Sequence, residues 1–93
     1  MKNRYAPDDL MRMRNHIDIA YLIADVLALP WKRSEGYFRF LCPDCAEFNT
    51  ATNAKTNLAR CFRCERNFNP IDMVMVVKHC SFLDAADFLS QIM

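Results

Sequence analysis

The stretch FLCPDCAEFN, residues 40–49, sets two cysteines either side of a Pro-Asp pair, and the pattern returns as ARCFRCERN at residues 59–67. Cys42-x-x-Cys45, fifteen intervening residues and Cys61-x-x-Cys64 fall inside the spacing of four-cysteine metal sites. The reason is geometric. Two thiolates three positions apart on a tight knuckle both reach one ion at about 2.3 Å, and two such knuckles complete a tetrahedron. Pro43 stiffens the first knuckle by fixing its own backbone angle. A redox pair would need only one Cys-x-x-Cys, opening a helix in a βαβ context, and would leave the second pair unexplained. A disulfide framework is disfavoured by five cysteines, an odd number, and by an opening MKNRYAPDDLMRMRN with no continuous apolar core of the signal-peptide kind. The expectation is one structural Zn2+ held by Cys42, Cys45, Cys61 and Cys64. Four protein ligands leave no open position for water, so the site is structural and not catalytic. Cys80, His79 and His16 have no partners at metal spacing. Cys80 reads as a small hydrophobe and His79 as a helix-end residue favoured by the dipole.

Working outward, 93 residues is the size of one domain near the low end for a self-sufficient core. An apolar fraction of 53%, with seven Phe and six Met, is globular in character, and a single Gly is few for tight hairpins. The net charge of +1 carries no global basic signature, so any nucleic-acid argument rests on local clustering. The longest near-continuous apolar run, residues 17–31, is broken by Asp18, Asp25 and Pro30 and is too short to span a membrane. These features predict a cytoplasmic chain with no membrane contact and no small-molecule substrate.

Pro7-Asp8-Asp9 opens a short helix, with Pro in the first turn and acids near the positive end. A second helix starts near Asp18, and its Ile19, Leu22, Ile23, Val26 and Leu27 repeat at helical spacing until Pro30. From Trp31 the character changes. LPWKR and GYFRFLC flank Ser34-Glu35-Gly36, a hairpin turn, and FNTATNA and NLARC flank Lys55-Thr56-Asn57 in a second hairpin. Asn69-Pro70 caps and starts a third helix, and Ser81-x-x-Asp84 resembles a capping box opening a fourth. The fold class expected is α+β: a zinc ribbon, meaning a small antiparallel sheet with two Cys knuckles, flanked by short N- and C-terminal helices. As one domain over 1–93 it is helical over 7–29, ribbon over 30–68 and helical again over 69–93.

The order of these pieces resembles the N-terminal zinc-binding domain of bacterial DNA primases, the family that makes RNA primers at replication forks. DIAYLIADVLAL is similar to its opening helix, and WKRSEGYFRFLCPDC to its basic hairpin running into a Leu-Cys-Pro knuckle. RCFRC is similar to its Cys-Phe-x-Cys second knuckle, and NPIDMVMVVKHCSFLDAADFL to its closing helices. The likeness spans about residues 8–92. Departures accompany it. Cys45 stands where the family's second ligand is usually His, which would make a four-thiolate site. The stretches after each knuckle differ, and the chain has no cluster of acids such as the catalytic domain of primases uses for metal ions.

The ribbon carries Lys32, Arg33, Arg39, Lys55, Arg60, Arg63 and Arg66 against Glu35, Asp44, Glu47 and Glu65, a local balance of +3 that a four-thiolate zinc site partly cancels. Aromatic residues interleave with these cations, a pattern that lets a sheet track a single-stranded backbone while stacking bases. Strand alternation puts Tyr37, Arg39 and Leu41 on one face, with Phe38 and Phe40 on the other, so one aromatic set lines the core, and Tyr37 and Arg39 are better nucleic-acid candidates than their neighbours. Together with the resemblance, this nominates Lys32, Arg33, Tyr37, Arg39, Lys55, Arg60 and Arg63 as contacts to single-stranded DNA. The resemblance implies a non-catalytic template-binding module for primer initiation, partnered by a catalytic primase chain or another replication protein. The alternative is a free-standing DNA-binding, regulatory or protein-interaction ribbon of a phage, plasmid or other mobile element.

Overall fold

The computed structural model describes residues 5–93. Helix α1 spans Pro7–His16, with Pro at the first helical position and Asp8 and Asp9 in the first turn. The Asp9 carboxylate accepts from the Ala6 N–H at 3.2 Å. Asp18 caps α2, Ile19–Tyr21, by accepting the Tyr21 N–H at 2.9 Å. The regular helix expected here is not maintained. Residues Leu22–Val26 are wound as a π-helix, and the Leu27 N–H closes on the Leu22 carbonyl at 2.8 Å. This wider winding hands the chain to Ala28 at φ 54, and the Leu29 N–H then bonds the Ile23 carbonyl at 2.9 Å. Ile19, Leu22 and Ile23 are buried, as their spacing predicts, while Val26 and Leu27 are half-buried at the margin of the core.

Strands β1, Trp31–Ser34, and β2, Tyr37–Phe40, form a two-stranded antiparallel hairpin. Its loop is Glu35-Gly36, at φ 55 and 81, the pair of positive angles a two-residue hairpin turn demands. Nothing lies within 4 Å of where a Gly36 side chain would start, so glycine is needed there for backbone freedom and not for space. Strands β3, Thr50–Asn53, β4, Leu58–Cys61, and β5, Arg66–Phe68, make a second antiparallel sheet in the order β3-β4-β5. β5 extends the expected second hairpin by one three-residue strand. The scarcity of glycine does not prevent these turns, because Glu35, Ala46, Asn57 and Glu65 take positive φ instead.

A buried threonine joins the two sheets. The Thr50 hydroxyl accepts the Phe40 N–H at 2.8 Å and donates to the Phe40 carbonyl at 2.7 Å, so a side chain supplies the pairing β2 lacks on that edge. Arg39 adds a third link, donating from Nη1 to the Thr50 carbonyl at 2.8 Å. Helix α3, Pro70–Lys78, has a reciprocal capping box. The Asp72 N–H donates to Asn69 Oδ1 at 2.8 Å and the Asn69 N–H to Asp72 Oδ2 at 3.1 Å. It ends at His79, which adopts the left-handed conformation at φ 52. Helix α4, Phe82–Ser90, starts with the Ser81 hydroxyl accepting the Asp84 N–H at 3.1 Å.

One apolar cluster takes side chains from every region: Met13, Leu22 and Ile23 from the N-terminal helices, Phe40 and Phe68 from the ribbon, Val74 and Leu89 from the last two helices. Phe40 and Phe68 are fully buried, and each contributes about 1.5–3 kcal/mol by leaving water. Cys80 is half-buried against this cluster, in keeping with its reading as a small hydrophobe. The molecule is a small α+β zinc ribbon with helices on either side. Among the described residues, no helix is long and apolar enough to cross a membrane.

Candidate metal centre and nucleic-acid interface

Each knuckle is shaped by its backbone before any metal is considered. In the first, the Asp44 N–H points at Cys42 Sγ, 3.4 Å away, and the Ala46 N–H closes on the Cys42 carbonyl at 2.9 Å. In the second, the Cys64 N–H points at Cys61 Sγ, also at 3.4 Å. The residue after each second cysteine, Ala46 or Glu65, lies in the left-handed region at φ 57 and 55. Strand β4 delivers Cys61, and β2 leads through Leu41 to Cys42.

The four sulfurs lie within 4.8 Å of one another. Cys42 Sγ is 3.9 Å from Cys64 Sγ, and Cys45 Sγ is 3.6 Å from Cys61 Sγ. A tetrahedral ion with metal–sulfur bonds of about 2.3 Å has sulfur–sulfur edges of about 3.8 Å; these two pairs match that edge, and the widest separation, up to 4.8 Å, closes by about 1 Å around such an ion. The all-sulfur donor set suits zinc. Burial pushes the Cys42 thiol up. Burial also leads in pushing Cys64 up to about 12, reinforced by the neighbouring thiols. For Cys61 burial acts in the same direction but is outweighed by the Cys64 N–H and the surrounding thiols, and its pKa is lowered.

Beside the metal centre the sheets carry an open hollow of about 470 Å³ lined by Tyr37, Ala51, Asn53, Leu58, Arg60, Phe62 and Asn67 among others. A second of about 260 Å³, lined by Tyr37, Arg39, Asn49, Ala51 and Phe62, adjoins it. Tyr37, Ala51 and Phe62 line both, so the two form one groove. Ala51, Arg60 and Asn67 are cross-strand partners and make its floor. Tyr37 and Phe62 are about half exposed, at 54% and 47%, which leaves ring surface available to a ligand. Each ring carries an arginine. The Arg39 guanidinium lies 5.4 Å from the Tyr37 ring centre and that of Arg60 5.6 Å from Phe62. Both guanidiniums are oriented by a polar anchor, Arg39 on the Thr50 carbonyl and Arg60 on Asn67 Oδ1 at 3.3 Å. No carboxylate lines either hollow among the described residues.

Of the contacts nominated from sequence, Tyr37, Arg39 and Arg60 come together at this groove. Lys32 is the cross-strand partner of Arg39, on the same face of the hairpin, with its ammonium 4.9 Å from the Phe48 ring. Lys55 sits in the β3–β4 turn, between Ala54 and Thr56 of the lining. Arg33 pairs with Phe38 and so projects from the opposite face of the hairpin. Arg63 belongs to the metal centre, where Nη1 is 2.9 Å from Glu47 Oε1. Phe62 and the asparagines at 49, 53 and 67 lie outside that set and line the groove as well. Phe62 sits between two cysteines, where alternation says nothing about exposure.

A family model described as CHC2 zinc finger matches residues 5–93. No curated protein matches the chain.

Proposed function

The chain belongs to the CHC2 zinc finger family, and on that premise we propose that it is a template-binding module: a zinc-stabilised ribbon that holds single-stranded DNA for primer initiation. It is a zinc-binding module of primase type. In our reading residues 1–93 act as one domain, with the ribbon of 30–68 held between helical segments, and the chain does no chemistry alone. The polymerising activity comes from a catalytic primase chain, joined or separate.

The observation that carries this reading is the carboxylate-free groove with an arginine laid on each of two half-exposed rings. Rings of this kind stack unpaired bases at about 1–3 kcal/mol each, and the cations beside them follow the backbone. Paired bases offer no free face, so the groove suits a single strand. Lys32 and Lys55 extend the basic track at its two ends, while Arg33 and Arg63 lie off it.

Fluorescence anisotropy with labelled single- and double-stranded oligonucleotides tests the proposal. The zinc-loaded protein binds the single strand more tightly, and Arg60→Ala with Phe62→Ala weakens it about fivefold or more and flattens the salt dependence. Equal affinity and an equal salt slope in a folded double variant would remove the groove from the mechanism.

A further inference from the structure

The two knuckles carry opposite charge at equivalent positions. Counting from the first cysteine of each, the third and sixth residues are Asp44 and Glu47 in one knuckle and Arg63 and Arg66 in the other. The third residue of each knuckle pairs with the sixth of its opposite. Arg63 Nη1 is 2.9 Å from Glu47 Oε1, and Arg66 Nη1 donates to Asp44 Oδ2. The left-handed residues Ala46 and Glu65, one position before each sixth residue, turn the chain back so that these contacts can form. The arrangement is approximately two-fold about the sulfur cluster.

We infer that Arg63 and Arg66 are positioning residues of the metal centre, a double latch that holds the acidic knuckle against the basic one and slows loss of the ion. An ion bound by two thiolates from each knuckle leaves only when the knuckles part, and both ion pairs span that line of parting. Neither arginine lines the groove. Both pairs are partly exposed, so each is worth roughly a 1.5- to 5-fold change in release rate and weakens as salt screens it.

The test is the rate at which the zinc-loaded full chain gives up zinc to an uncharged chelator, so that salt acts on the protein alone. In the native protein, release accelerates between low and molar salt. Charge reversal in R63E/R66E sets like charges against each other and releases zinc about fivefold or more faster at low salt, with the difference shrinking at high salt. The four-site exchange D44R/E47R/R63E/R66E restores slow, salt-sensitive release and keeps oligonucleotide affinity within about twofold of native. The milder R63Q/R66Q pair, which introduces no repulsion, still accelerates release. Salt-independent release from the native chain, native rates in R63E/R66E, or failure of the exchange to restore retention would each overturn the latch. A fall in oligonucleotide affinity in R63Q/R66Q as large as that of Arg60→Ala would return these arginines to the nucleic-acid face.

Discussion

Asn57 gives the sharpest test of how the helices and the ribbon become one structure. It is only 7% exposed and stands in the left-handed region at φ 54, at the turn between β3 and β4. Its Oδ1 accepts the Ile19 N–H at 2.9 Å, while its Nδ2 donates to the carbonyls of Arg14 and Ile17, each at 2.7 Å. One side chain therefore satisfies backbone groups at the end of α1 and the start of α2. Replacing it by Ala removes three hydrogen bonds worth about 1 kcal/mol each. It also puts a residue with a Cβ and no compensating polarity into a left-handed position, adding about 0.5–1 kcal/mol. The expected loss is about 3.5–4 kcal/mol, a fall in Tm of roughly 14 °C or more for a domain of this size. Asn57→Gly restores backbone freedom and recovers only the smaller part. Asn57→Asp keeps the acceptor for Ile19 but turns a carboxylate oxygen towards two carbonyls, and is at least as damaging as Ala. Thermal unfolding of the zinc-loaded variants by circular dichroism reads all three. If Asn57→Ala costs less than about 1 kcal/mol, or Asn57→Asp melts like the native protein, the docking of the helices does not depend on this amide.

Three further expectations follow from the same geometry. A chelator stronger than the site unfolds the ribbon, because a closed thiolate site contributes folding free energy outright. Loss of sheet signal on chelation and its return on adding zinc check this, and an unchanged spectrum contradicts it. Zinc affinity rises with pH, since Cys42 and Cys64 have raised pKa values without the ion and must lose their protons to bind it. Calorimetry at neutral pH in buffers of different ionisation enthalpy counts at least two protons released, and release near zero would refute the assignment. Ala46→Gly and Glu65→Gly each relieve a left-handed residue whose side chain is exposed, and each stabilises the zinc-loaded fold by about 1 kcal/mol, seen as a Tm rise of about 4–8 °C.

The features legible in sequence are those whose cause lies within a few residues. The metal cluster follows from two short spacings, and the helix starts at Asp18, Asn69 and Ser81 follow from caps that bond three positions ahead. The alternation of Tyr37 and Arg39 with Phe38 and Phe40 follows from the pleat alone, and burial shows Phe38 and Phe40 as the inward set. Features with distant causes were hidden. Asn57 reads as a turn residue, yet its partners lie 38 to 43 positions away. Arg63 looks like any other ribbon cation until Glu47, sixteen positions back, is seen beside it. The register of β1 against β2 sends Arg33 away from its neighbour Lys32, although charge and proximity group them together. β5 is three residues long, too short to show alternation, and exists only because β4 offers it an edge. Ala46 and Glu65 carry no glycine to announce their backbone angle, which the closure of the knuckles imposes.

These hidden contacts converge on one segment, residues 57–62, and explain how a structural ion can govern a surface it does not touch. Asn57 at the start of β4 pins the N-terminal helices, and Cys61 at its end belongs to the metal cluster. Between and beyond them Leu58, Arg60 and Phe62 line the groove, while Ala59 is buried in the core. The strand is stretched between two anchors, one polar and one metallic, with the proposed DNA contacts at alternate positions along it. Arg39 and Thr50 then fasten the hairpin carrying Tyr37 to the neighbouring strand β3. The spacing between the Tyr37 and Phe62 rings is thus set by the zinc end, the helix end and the link between sheets acting together. Loss of any one would alter the proposed base stacking without removing any of the proposed contact groups. A four-thiolate centre with no open position would contribute to the proposed binding in this way, as the fixed end of the strand that carries the site.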